Sequence, residues 1–131
     1  MNINIKILGI IIIFFFGLLL LLTSRVERSH LKYSAEEMLE KAKTDYVVKE
    51  GDLQRLRGYT LIDLQEPQLF ESNHLEGAIN VPFATLLEDN NKELWANNET
   101  KVITGASPME RHEAWMLLTQ MGYEDLLVLQ N

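Results

Sequence analysis

The stretch ILGIIIIFFFGLLLLL, Ile7 to Leu22, is sixteen residues without one polar side chain. A helix that is apolar on every side needs apolar surroundings on every side. Ile3, Ile5, Thr23 and Ser24 extend the run to roughly 20 residues, enough at ~1.5 Å rise per residue to cross a bilayer core. Lys6 can snorkel to the nearer interface. A cleaved signal peptide is the competing reading. Against it, the apolar run is long, LLTSRV lacks a small-x-small cleavage pattern, and no Cys follows for lipid attachment. The sequence therefore predicts a permanent transmembrane signal-anchor over residues 1–24. Gly9 and Gly17 stand eight residues apart, close to the about 7.2 residues of two helical turns. They share a face and offer places for close approach of another membrane helix.

Orientation follows from the flanking charge. Lys6 lies on one side of the run, and Arg25, Arg28 and Lys32 lie on the other. The positive-inside rule then favours a bacterial inner-membrane protein with its soluble part in the cytoplasm. Default insertion of an N-terminal signal-anchor would place that part outside. Residues 25–44 are charged and rich in helix formers. Ser34 and Glu37 have capping-box spacing, and Met38, Leu39 and Ala42 make a thin apolar stripe. This segment reads as a juxtamembrane helical linker, either a solvated spacer or a docking helix.

From Asp45 onward short apolar runs alternate with helical patterns. YVV (46–48), TLIDL (60–64), GAINVP (77–82), KVIT (101–104) and LLVL (126–129) read as strands. Residues 50–58 read as a helical turn or two. Residues 84–98 read as helical at their start and polar after it, and Met109 to Met121 as a helix with Ala114, Leu117, Leu118 and Met121 inward. Such alternation predicts an α/β domain with a mainly parallel sheet over residues 45–131. The formal net charge of −7 argues against nucleic acid as a partner, because phosphates need clustered Lys and Arg. The chain has no cysteine, which removes disulfides, thiolate metal sites and thiol catalysis together. His30, His74 and His112 show no ligand spacing, so neither a metal nor a cofactor is expected.

LIDLQEPQLFESNHLEGAINVP, residues 61–82, resembles the front half of a rhodanese-like domain. Asp63, Phe70, His74, Gly77, Ala78, Asn80 and Pro82 fall on that family's pattern without a gap. Its Arg is Gln65 here, and the Gly before its His is Asn73. The resemblance implies a three-layer domain with a mainly parallel five-stranded sheet. On their own chemistry, Gly77 suits a turn needing positive φ, Pro82 can end a strand, and Asp63 can accept hydrogen bonds from neighbouring backbone or from the side of His74. His74 reads as a hydrogen-bonded turn residue.

In active members of that family, the loop after the fourth strand reads Cys-x-x-Gly-x-Arg, and its backbone N–H groups cradle a persulfide at a helix N-terminus. The corresponding loop here is Gly105, Ala106, Ser107, Pro108, Met109 and Glu110. Counting back from MGY (121–123), the Cys position falls on Gly105, the Gly position on Pro108 and the Arg position on Glu110. Gly105 cannot hold sulfur, Pro108 removes an N–H, and Glu110 puts negative charge where an anion should sit. A one-residue slip would bring Thr104 or Ala106 to the Cys position, and neither replaces a thiolate. Ser107 with His112 lacks an orienting acid and an oxyanion hole, so Ser107 reads as a loop serine. Arg111 reads as a solvated charge at the helix start, and Trp95 and Trp115 as packing residues.

Family members usually continue past the last strand into Gly-Gly and a closing helix, whereas LQN is reached here first. An apolar face near LLVL is therefore expected to need a partner, or cover from helix 33–43 folding back. The resulting expectation is a non-enzymatic, membrane-anchored accessory or scaffolding subunit of an integral membrane protein complex, with the lipid bilayer as its second partner. The alternative is a binding module that senses a small anion or other ligand at the remnant loop.

Overall fold

The computed structural model describes residues 12–18 and 31–130, which belong to two units, Met1–His30 and Leu31–Asn131. In the first unit residues 12–18 are helical, and Ile12 to Phe16 and Leu18 turn apolar surface outward. Among the described residues no helix is long and apolar enough to cross a membrane. The rest of the expected span, residues 1–11 and 19–24 with Gly9, lies outside the described residues. Gly17 lies within them, and a Cβ added there would meet nothing within 4 Å.

The second unit opens with helix α1, Ala35–Ala42. Its start is the expected capping box: Glu37 N–H donates to Ser34 Oγ (3.3 Å) and Ser34 N–H to Glu37 Oε2 (2.7 Å). The compact unit takes in residues 31–44, which the sequence pattern set aside as a linker. Met38 packs against the main core, Lys32 N–H donates to Gln120 O (2.9 Å), and the Gln120 side chain bonds both the N–H and the carbonyl of Tyr33. Three apolar positions in the α1 sequence could not reveal this grip, because most of it comes from backbone and one distant amide.

Five strands follow: β1 Val47–Lys49, β2 Tyr59–Asp63, β3 Ile79–Asn80, β4 Thr100–Thr104 and β5 Leu126–Gln130. They form one sheet in the order β1-β5-β4-β2-β3, every pair parallel. Strands covered on both faces read as continuous apolar runs, which is what TLIDL and KVIT are. On one face Ile62, Ile103, Leu126 and Val128 meet Ala114, Trp115 and Leu118 of α4 (Pro108–Gln120) and Trp95 of α3 (Lys92–Ala96). On the other, Leu61, Val102 and Leu129 meet Leu53 of the 3₁₀ turn Glu50–Arg55, with Leu56, Leu75 and Ala78 around them. Ile62, Val102 and Ile103 are fully buried, each contributing about 1.5–3 kcal/mol of transfer free energy.

Several expectations shift. LLVL is not open: Leu126, Val128 and Leu129 are buried, and Met38 of α1 helps to close that side. Helix α4 buries Arg111, Ala114, Trp115 and Leu118, while Leu117 and Met121 face outward. That face is rotated from the expected one because Arg111 and Thr119 count as polar by type yet pack inward. Between 84 and 98 the order reverses, with two 3₁₀ turns first and the α-helical turns of α3 at the end. Helix α2, Pro67–Ser72, lies between β2 and β3, where the sequence pattern assigned no element, with Pro67 in its first turn where a missing N–H costs nothing.

Candidate functional site

The site lies where β2 and β4 end, because ligand sites in parallel sheets open at the carboxyl ends of strands. Asp63 closes β2 and stands opposite Thr104, which closes β4. Asp63 is 1% exposed, and its carboxylate accepts the Gln65 backbone N–H (2.9 Å) and the Gln65 side-chain amide (3.2 Å). The residue standing at the expected Arg position thus neutralises nothing but satisfies both carboxylate oxygens. Asn80 locks the same turn, its amide donating to the carbonyls of Asp63 (3.2 Å) and Gln65 (2.8 Å). The His74 ring turns the other way. It stacks on Phe70 at 4.0 Å between centroids, and its Nδ1 lies 2.6 Å from Phe70 O. The His74 ring is thus held by Phe70, and it does not bond Asp63. Gly77 has φ 81°, as a turn glycine should.

The loop after β4 is built around two consecutive left-handed residues, Gly105 (φ 67°) and Ala106 (φ 49°). A Cβ on Gly105 would overlap the Asp63 carboxylate, with Cγ only 2.6 Å away. Any side chain at this position would have to displace a buried acid. Ser107 is the N-cap of α4 and Pro108 occupies its first turn. Glu110 N–H donates to Ser107 Oγ (3.3 Å), and Glu110 Oε2 accepts both the Ser107 N–H (2.9 Å) and its hydroxyl (2.6 Å). These hydrogen bonds, the side-chain one first, hold the Glu110 carboxyl below its ordinary value of 4.5. Of the amides an anion would seek here, Ser107 and Glu110 already have internal acceptors, and Pro108 has none to give. Met109 is 77% exposed beside them.

Residues 34–131 match the family described as Rhodanese-like domain. The chain belongs to this family. Solved structures agree at the level of the fold. A rhodanese-related protein from Thermoplasma volcanium is 20% identical, with 65% of this chain and 83% of that one covered and a TM-score of 0.56. A rhodanese-like domain from Anabaena sp. is 18% identical, covering 67% and 70% with a TM-score of 0.57. A Bacillus halodurans protein is 19% identical, covering 72% and 71% with a TM-score of 0.56. No curated protein matches the chain in sequence.

Within the rhodanese-like domain, the recess at the strand ends holds about 160 Å³ and is bordered by Glu50, Asp63, His74, Thr104 and Gly105. Two carboxylates and no Lys or Arg line it among the described residues, which disfavours an anion. Arg111 does not serve the recess either. It is buried at 6% exposure, and its Nη1 donates to Leu129 O of β5. This corrects its reading as a solvated charge, and the signal for it was slight: its position one turn ahead of Ala114 and Trp115 on the buried face. Ser107 and His112 are not brought together as a pair. The Ser107 hydroxyl is spent on Glu110, and His112 Nδ1 lies 3.1 Å from the Tyr46 hydroxyl. Trp95 and Trp115 are core residues, donating to Leu86 O (2.9 Å) and Leu126 O (3.2 Å). Among the described residues no cluster of His, Asp and Glu is arranged to hold a metal ion.

Proposed function

We propose that this rhodanese-like protein performs no sulfur transfer and works as a membrane-anchored accessory or scaffolding subunit of an integral membrane complex. The observation that carries the non-catalytic half is Gly105. The position where active members place the nucleophile has left-handed backbone and no room for a Cβ beside Asp63. The filled cap at Ser107–Glu110 supports the same reading, since an incoming anion would have to displace a carboxylate. The absence of any cysteine removes the usual chemistry altogether.

The anchoring half rests on the apolar run Ile7–Leu22. In this reading the run spans a bacterial inner membrane, the domain faces the cytoplasm, and Gly9 and Gly17 seat a partner helix. Joining a membrane contact to a second contact through the domain raises affinity through effective concentration. The test is purification of the full chain in mild detergent, with mass spectrometry and a thiosulfate sulfurtransferase assay on the same sample. A stoichiometric membrane companion and no turnover above a boiled control are expected. A monomer without companions would sink the scaffold reading, and turnover would sink the non-catalytic one. Protection of the domain from protease in spheroplasts is the expected sign of its cytoplasmic side.

A further inference from the structure

A second feature, unused by the proposed role, lies at the other end of the sheet, where β4 and β5 begin. A cavity of about 540 Å³ sits between the α1–β1 connection, the last turn of α4 and the loop entering β5. Its aromatic wall is Tyr46, stacked on Trp115 at 3.9 Å and 17°, together with half-buried Tyr123.

Thr119 borders it from α4. The residue is only 5% exposed, yet its hydroxyl has no hydrogen-bond partner among the described residues. A helical threonine ordinarily returns its hydroxyl to the carbonyl one turn back. This one opens onto the cavity.

The charge around the cavity has one sign in excess. Asp45, Glu124 and Asp125 border it against Lys41 alone. Lys41 is drawn aside, its Nζ 4.5 Å from the Tyr33 ring centroid, while Glu124 reaches Lys32 at 3.6 Å. Asp45 and Asp125 make no ion pair within 4.0 Å among the described residues; the buried Lys101 ammonium donates to Asn97 O, and Asp125 and Glu99 lie near enough to favour its charged form, so Asp45 is the carboxylate left with least compensation. The carboxyl ends of α1 and α4 both border the cavity and add negative partial charge. Aromatic faces, paired with carboxylates and an open hydroxyl, suit a cation on an apolar stem.

We propose that this cavity binds a small organic cation, an ammonium or guanidinium on an apolar stem. Asp45 and Asp125 supply the charge complement, Tyr46 and Tyr123 flank the stem, and the Thr119 hydroxyl accepts a hydrogen bond. The site is independent of the remnant loop and of the scaffold role.

The experiment is calorimetric titration of the full chain in detergent with benzylamine, and with benzyl alcohol and benzoate as neutral and anionic matches. Benzylamine is expected to saturate one site, with the alcohol about tenfold weaker, the factor set by one charge-assisted hydrogen bond, and with no binding of benzoate. Asp125→Asn keeps a residue type that tolerates left-handed backbone at φ 55° and should weaken benzylamine about fivefold with the melting point held. Thr119→Val keeps the side-chain shape, so it should weaken binding while the melting point holds or rises. Equal affinity for amine and alcohol, no saturable binding, or unchanged affinity in both variants would overturn the proposal. A Thr119→Val protein that is simply more stable, with binding intact, would show the hydroxyl to be a stranded packing defect.

Discussion

Two constraints meet at Gly105: a φ of 67° and the Asp63 carboxylate standing where a Cβ would project. Gly77 meets only the first, with φ 81° and nothing within 4 Å of its missing Cβ. The pair therefore separates backbone strain from steric conflict. Gly77→Ala should cost about 1–2 kcal/mol, the ordinary penalty of left-handed backbone. Gly105→Ala should cost clearly more, since Asp63 must also give up its place among the Gln65 donors, and urea denaturation of the two variants side by side checks the order. Gly105→Cys should be destabilised in the same way and still show no sulfur transfer. The missing thiol is legible in the sequence, but the conflict with Asp63 is not. That conflict depends on the β2–β4 register, which sets Asp63 opposite Thr104, and register is a pairing of distant residues.

At the level of elements, α4 is held at its start by the Ser107–Glu110 box and along its length by its buried face. Ser107→Ala should lower stability by about 1 kcal/mol, as loss of an N-cap hydroxyl does. Glu110 is held below its ordinary 4.5 in the folded state, so the stability it adds is present above that value and is lost as pH falls through the lower folded value. Acid titration of the denaturation midpoint should therefore fall less steeply for Glu110→Gln than for the unaltered protein below about pH 4.5. A steeper fall in the variant would contradict the assignment. The same Ser-x-x-Glu spacing stands at Ser34 and Ser107; it marks a helix start in the sequence pattern at Ser34 alone, and Ser107, expected as a loop serine, is the second N-cap. Helix α2 and the order of turns within 84–98 are not legible in the sequence, because those segments have too few apolar positions to show a period. The rotated face of α4 is hidden for another reason. Arg111 earns its buried place from the Leu129 carbonyl, a partner 18 residues away.

For the whole molecule, α1 behaves as part of the domain through Met38 and the Tyr33–Gln120 exchange. Soluble chains beginning at residue 31 and at residue 45 should differ in stability by about 2 kcal/mol, the scale of two or three net hydrogen bonds with partial burial of one Met. Equal denaturation midpoints would return residues 31–44 to the role of a spacer. The fold class is legible because alternating strands and helices leave few topologies, and the motif from Asp63 to Pro82 narrows them to one. The position of β5 in that topology bears on how the protein is made. The last strand in the sequence is inserted between β1 and β4, so the first strand has no neighbour until residues 126–130 arrive. Translation delivers the apolar run Ile7–Leu22 long before that closing piece. A nascent chain halted before Leu126 should be digested throughout the domain, whereas one extended past Gln130 and clear of the ribosome should gain protection within one folding step. During that interval the facing edges of β1 and β4 stay unpaired, and each is open to pairing with the strand of another chain.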